Sequence, residues 1–283
     1  MRRGSIAALK WSAAALGLMA LSGASGAQTP PASPTTPAPA QSSGAPRGGY
    51  LAGHEPDTVG VLAQVPAPGS ARDLADRQIF RDTRALEGTP RWTLAQTDAV
   101  LTLSSLLKDF SCAAGVTLTP KSAPALTRII RRMAPDLASA YGQPKDLYKR
   151  PRPFLRDPGD ICIPRSPDLV SSFDYPSGHS TFAWTFGLIL AELEPDRAGP
   201  VLARARAFGE SRAVCGVHSA SAVTEARSAA AALFAALQSN PAFQTDLASA
   251  RAELAAPRDR APSAAPDAGQ CQTEAALIAR TPW

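Results

Sequence analysis

Tyr175-Pro-Ser-Gly-His-Ser-Thr-Phe-Ala-Trp-Thr-Phe-Gly-Leu-Ile-Leu-Ala-Glu-Leu193 is the stretch from which the fold is read. From Ser180 to Leu193 it carries Phe182, Trp184, Phe186, Leu188, Ile189 and Leu190, apolar nearly all round, and it stops before Pro195. A helix without a polar face has to be enclosed by other elements, so this one is predicted to run through the centre of a domain. Its fourteen residues fall short of the roughly 20 that cross a bilayer. The turn ahead of it, Pro176-Ser-Gly-His179, places the Ser177 and Gly178 amides at a helix N-terminus, where unpaired donors and the macrodipole favour an anion.

Helical patterns continue on both sides. Ser70 is a cap for a helix through Leu74, Ile79 and Phe80, and Thr89-Pro90 starts a second that runs through Trp92, Leu94, Val100 and Leu101 to Leu107. Ser122 to Tyr141 gives a third, which Pro135 is expected to kink or split. Val201 to Ser211, Ala220 to Leu237 and Ala242 to Ala255 follow the central helix. Few segments alternate with period two, so the expectation is an all-α protein with a single helical-bundle domain at residues 50–256.

The ends differ in composition. Arg2 and Arg3, the apolar run Trp11 to Leu21 and Ser25-Gly-Ala27 read as a secretory signal peptide over residues 1–27, with an uncleaved anchor as the alternative. Residues 28–49, rich in Pro, Ala, Ser and Thr, read as a disordered linker, and Tyr50 to Pro68 as an extended arm on the domain. Residues 257–283 read as a second linker and a short tail. Removing residues 1–27 takes away Arg2, Arg3 and Lys10 and no acid, lowering the formal charge from +5 to +2, so the high pI is no argument for nucleic acid. Export implies a periplasmic or secreted protein with no stable membrane insertion once the signal is cleaved, and an oxidising setting for Cys112, Cys162, Cys215 and Cys271. Four cysteines allow three pairings. Cys271 is a candidate to pin the tail, Cys215 reads as a small buried apolar residue, and no spacing suggests a metal site.

Three clusters carry chemistry. Lys145-Asp-Leu-Tyr-Lys-Arg-Pro-Arg152-Pro153 supplies cations of the kind that hold phosphate oxygens, Arg above all because its planar fork meets two at once. On its own it also fits a solvated basic loop. The turn at Ser177, Gly178 and His179 adds donors and an imidazole able to protonate a leaving oxygen. Ser211-Arg212-Ala-Val-Cys-Gly-Val-His218 adds a further cation and a histidine able to attack phosphorus, its pKa lowered by surrounding cations. The third histidine, His54, lies in the arm and is read as incidental.

The order Lys-x6-Arg-Pro, Pro-Ser-Gly-His, Ser-Arg-x5-His resembles the signature of the bacterial class A non-specific acid phosphatases, within the type 2 phosphatidic acid phosphatase and vanadium haloperoxidase superfamily. The likeness covers about residues 71–254. It implies a helical-bundle hydrolase that needs no metal or other cofactor and acts on small-molecule phosphomonoesters, with self-association left open. By the same likeness His218 becomes phosphorylated, His179 protonates the leaving alcohol, and Lys145, Arg152, Ser177, Gly178 and Arg212 hold the phosphoryl group.

One position departs from the pattern. The family's orienting Asp, four residues after the nucleophile, is here Ala222. That implies weak or lost activity unless another group substitutes, and makes a degenerate phosphate-binding homologue the alternative. Vanadate-dependent halide oxidation is a poorer fit, because the chain is short for that group. Glu225 is the nearest downstream acid, but in a straight helix it sits about 10.5 Å along the axis from His218. Ser219, Ser221 and Thr224 offer weaker acceptors.

Overall fold

Caps and prolines fix where the helices begin. The computed structural model describes residues 48–255 and 265–283. The expected signal peptide, most of the first linker, residue 256 and residues 257–264 of the second linker lie outside the described residues. A short α1 (Thr58–Val61) is followed by α2 (Ala71–Thr83), where the Ser70 hydroxyl accepts from the Asp73 amide. Then come α3 (Pro90–Thr97), capped by Thr89, and α4 (Leu103–Ala114), opened by a reciprocal capping box between Thr102 and Ser105. After α5 (Pro124–Tyr148) and the short α6 (Pro167–Ser171) the chain enters α7 (Gly178–Leu193), α8 (Ala198–Val214), α9 (Ala220–Gln238), α10 (Pro241–Ala255) and α11 (Ala268–Ile278). No strand occurs among the described residues. The chain is all-α, as expected.

The apolar α7 is the centre of the bundle: α8, α9 and α5 pack around it. Phe110, Phe186 and Phe208 form an aromatic group in the core, the first two edge-on with centroids 4.9 Å apart. Phe182 stays half-buried.

Four expectations need correction. The second helix is two, because Asp98 turns inward to the fully buried Arg204, 2.5 Å away, and ends α3. Pro135 does not split α5, which continues through it and through Pro144. Ile129, Ile130, Met133 and Leu137 are buried on either side of Pro135, and the Asp136 carboxylate accepts the Tyr50 and Leu51 amides, so tertiary contacts offset the missing backbone bond. Residues 268–278 form α11 rather than a tail, tied to α4 by the Cys112–Cys271 disulfide. Cys215 is not a free apolar residue: it is bonded to Cys162, and the Cys162 amide also donates to the Cys215 carbonyl.

Candidate active site

α5 presents Ile130, Leu137, Tyr141 and Lys145 to one cleft of about 550 Å³. The helix ends at Tyr148, with Lys149 in the left-handed region at φ 46°, and the chain turns so that Arg152 lines the same cleft. Gly178 and His179 enter from the first turn of α7, and His218 from the connection between α8 and α9. Gly216 (φ +78°) lets that connection double back, so the His218 and Val217 amides both donate to the Arg212 carbonyl. Five of the seven residues singled out in the sequence thus line one cleft, and Arg212 acts electrostatically on His179, His218 and Arg152 from directly behind it.

Charges in the cleft are crowded and poorly solvated. Burial, followed by Arg152, brings the Lys145 ammonium down to about 8, and its Nζ donates to the Phe173 carbonyl. Burial and Arg152 bring Arg212 down to about 10, and its Nε and Nη1 have no hydrogen-bond partner although the residue is 2% exposed. An unpaired buried guanidinium is an uncommon expense in a folded chain and marks the place where an anion would be bound. Arg152 donates through Nη1 to the Val217 carbonyl at 2.7 Å and to His218 Nε2 at 3.1 Å.

Both imidazoles are held neutral. Burial, then Arg152, Lys145 and Arg212, pushes His218 well below 6.5, while burial, then Arg212 and His218, does the same to His179. His218 Nδ1 faces two acceptors, the Asp174 carbonyl at 2.7 Å and Asp174 Oδ1 at 3.0 Å, so its one proton sits there and the Nε2 lone pair faces Arg152 and the cleft. His179 Nε2 donates to the Ala99 carbonyl at 3.2 Å.

Ser177 is tied into the helix bundle. Its amide donates to the Ala222 carbonyl and its hydroxyl accepts from the Ser180 amide and hydroxyl, so it caps α7 and braces it against α9. The Gly178 and His179 amides remain without a partner among the described residues at the open end of the helix. A Cβ at 178 would stand 3.3 Å from ring carbons of Tyr141, so a larger residue there would push that ring back by a few tenths of an ångström. Glu225 does not reach His218: it pairs with Arg72 at 2.6 Å and accepts the Ala63 amide. Sequence reasoning also missed the buried network behind the site, in which Arg150 contacts Asp73, Asp76 and Asp174.

The comparisons agree with this geometry. Residues 125–244 match the model of the PAP2 superfamily. The chain is 40% identical to a protein of Zymomonas mobilis named acid phosphatase, over 77% of this chain and 82% of that one. It is 34% identical to a non-specific acid phosphatase of Providencia stuartii (70% and 81%) and 33% identical to one of Salmonella typhimurium (71% and 83%). A cationic cleft holding two neutral imidazoles on an all-α scaffold therefore has its family: the chain belongs to the PAP2 superfamily.

Proposed function

We propose that this protein is an acid phosphatase that hydrolyses small phosphomonoesters through a phosphohistidine at His218. The observation that carries the reading is the imidazole itself: Nδ1 is committed to Asp174, so Nε2 carries the ring's lone pair at the cleft, where it accepts from Arg152 Nη1 until that guanidinium turns to a phosphoryl group. Lys145, Arg152, Arg212 and the free amides of Gly178 and His179 hold the three phosphoryl oxygens, and Ser177 fixes the helix end that presents those amides. Nε2 attacks phosphorus, the bond to the ester oxygen breaks, and His179 delivers a proton to that oxygen. Water then attacks the phosphohistidine with His179 as base, the P–N bond breaks, its electron pair returns to Nε2, and phosphate leaves.

The acid preference follows from the charges. His179 is neutral in the free protein, so its proton has to come with the substrate or with compensation of the neighbouring cations. A phosphomonoester, with its second pKa near 6, brings one proton into the cleft below about pH 6. Two disulfides fit an oxidising compartment, and no helix among the described residues is long and apolar enough to cross a membrane. Both support export to the periplasm.

The test is turnover of p-nitrophenyl phosphate between pH 4 and 7, followed by an alkaline quench and mass spectrometry. Turnover in the parent, a phosphate adduct on the peptide carrying His218 and loss of both in His218→Asn are the expected results. A parent that binds inorganic phosphate without turnover establishes the degenerate alternative instead.

A further inference from the structure

The carboxylate that orients a nucleophilic histidine is missing from position 222, and the structure holds another in its place from a different part of the chain. Ala222 is fully buried among Leu62, Tyr175 and Ala229, with its amide turned to the Ser219 hydroxyl. On the far side of the His218 ring, Asp174 is also fully buried, and every group that meets its two oxygens is a donor. His218 Nδ1 and the Ser219 amide approach Oδ1 at 3.0 Å each, while the Ser219 hydroxyl at 2.6 Å and Arg150 Nη1 at 3.3 Å approach Oδ2.

A carboxylate surrounded only by donors can be nothing but an acceptor, and the proton between it and His218 therefore belongs to the imidazole. The position of the carboxylate is itself fixed. Arg150, 5% exposed, bonds Asp76 at 2.9 Å, and its Nη1 donates to the hydroxyls of Ser219 and Ser221 at 2.6 and 2.8 Å. Arg156 holds Asp73 at 2.7 Å next to it.

We propose that Asp174 is the positioning residue for His218, supplying from the segment before the Pro-Ser-Gly-His turn the orienting carboxylate that position 222 lacks. It acts through His218 and touches no substrate: it selects the tautomer with the proton on Nδ1 and stabilises the imidazole as positive charge develops on attack. The proposal rests on His218 as nucleophile. Asparagine cannot replace the aspartate, because its NH2 would face donors whichever way the amide is turned. Alanine leaves only the backbone carbonyl, which distinguishes the carboxylate's part from that of the main chain.

The experiment uses the full chain with Asp174→Asn and Asp174→Ala, and reads kcat, KM, the inhibition constant for inorganic phosphate and melting temperature. The expected result is a kcat lowered roughly 10²- to 10⁴-fold. KM and the phosphate constant stay within about threefold, since the oxygen-holding groups are untouched. With three histidines in the chain, 15N NMR of the parent assigns the His218 tautomer. A proton on Nδ1 in the parent that is lost or exchanged in an Asp174 variant that keeps a cooperative melting transition supports the proposal. A proton on Nε2 in the parent, or a kcat within about threefold of the parent in both variants, overturns it. Should the parent show no turnover, the phosphatase reading fails by itself, and the change in the His218 tautomer between the parent and Asp174→Ala, which keeps the backbone carbonyl, still tests the part of the carboxylate.

Discussion

Replacing Arg212 by methionine should make the protein more stable and nearly inactive, two effects of opposite sign from one side chain. Nε and Nη1 of Arg212 are buried without partners, and burial together with Arg152 brings its pKa down to about 10. The charged form is thus disfavoured by folding, and that penalty is fully present below the folded pKa and gone above the unfolded one. At neutral pH it amounts to about 3 kcal/mol. Methionine keeps the apolar stem and removes the charge, a type of exchange that gains about 1–4 kcal/mol. In a domain of this size that is a rise in melting temperature of about 2–4 °C per kcal/mol. Catalysis moves the other way, because loss of one preorganised donor to a developing oxyanion lowers kcat about 10²- to 10³-fold. Scanning fluorimetry with and without inorganic phosphate reads both sides: the parent gains stability from phosphate and Arg212→Met does not. A variant that melts below the parent in phosphate-free buffer, or that still responds to phosphate like the parent, refutes the assignment of Arg212 as an unpaired phosphate ligand.

Lys145 titrates near 8 in the free protein, so kcat/KM for p-nitrophenyl phosphate falls as pH rises through that value, and Lys145→Arg moves this limb upward by more than one pH unit. Ala222→Asp in the parent gives no gain in activity and a lower melting temperature, because it puts a second carboxylate into a fully buried apolar contact while Asp174 already engages His218; a large gain in kcat contradicts this. Phe182→Ala, on the apolar wall formed with Leu101, Leu103 and Tyr141, raises KM for p-nitrophenyl phosphate by about three- to tenfold, in line with about 1 kcal/mol or slightly more of lost apolar contact. The inhibition constant for inorganic phosphate stays the same. Removing the Cys162–Cys215 bond, which closes 53 residues and ends at the turn carrying Arg212 and His218, costs about 4 kcal/mol by chain entropy, measured as a lower denaturation midpoint of Cys162→Ala/Cys215→Ala.

The fold was legible wherever local pattern and tertiary packing agree. An apolar run with no polar face can only be central, and α7 is. The pattern misled where a distant partner intervened. From Trp92 to Leu107 the apolar spacing is continuous, yet Arg204, 106 residues further on, draws Asp98 inward and ends α3. In α5 the reverse holds: Pro135 removes one backbone bond, but buried neighbours on both sides and the Tyr50–Asp136 contact keep the helix continuous. Both outcomes are tertiary overrides of local propensity.

In the site, residue types and order sufficed for Lys145, Arg152, His179 and His218, because each motif carries its own chemistry and the cleft only has to bring them together. Ser177 caps α7 by accepting at its hydroxyl oxygen, which leaves the hydroxyl proton free to donate. Asp174 lies upstream of His218, outside α9, where contacts follow from helical spacing, so no spacing in the sequence points to it. Its own position held a signal nonetheless. Asp174 stands between Phe173 and Tyr175 at the edge of an apolar helix, and an aspartate in such surroundings is buried only if charges or donors meet it there. The cation that meets it is Arg150, which the sequence does not single out over the nearer Arg156 and Arg165. The same constraint explains why the carboxylate could change its place in the chain without change at the imidazole: the Nδ1 proton needs an acceptor held rigidly in the ring plane's reach, and the segment supplying it is immaterial so long as a buried cation and the Ser219 donors fix it there.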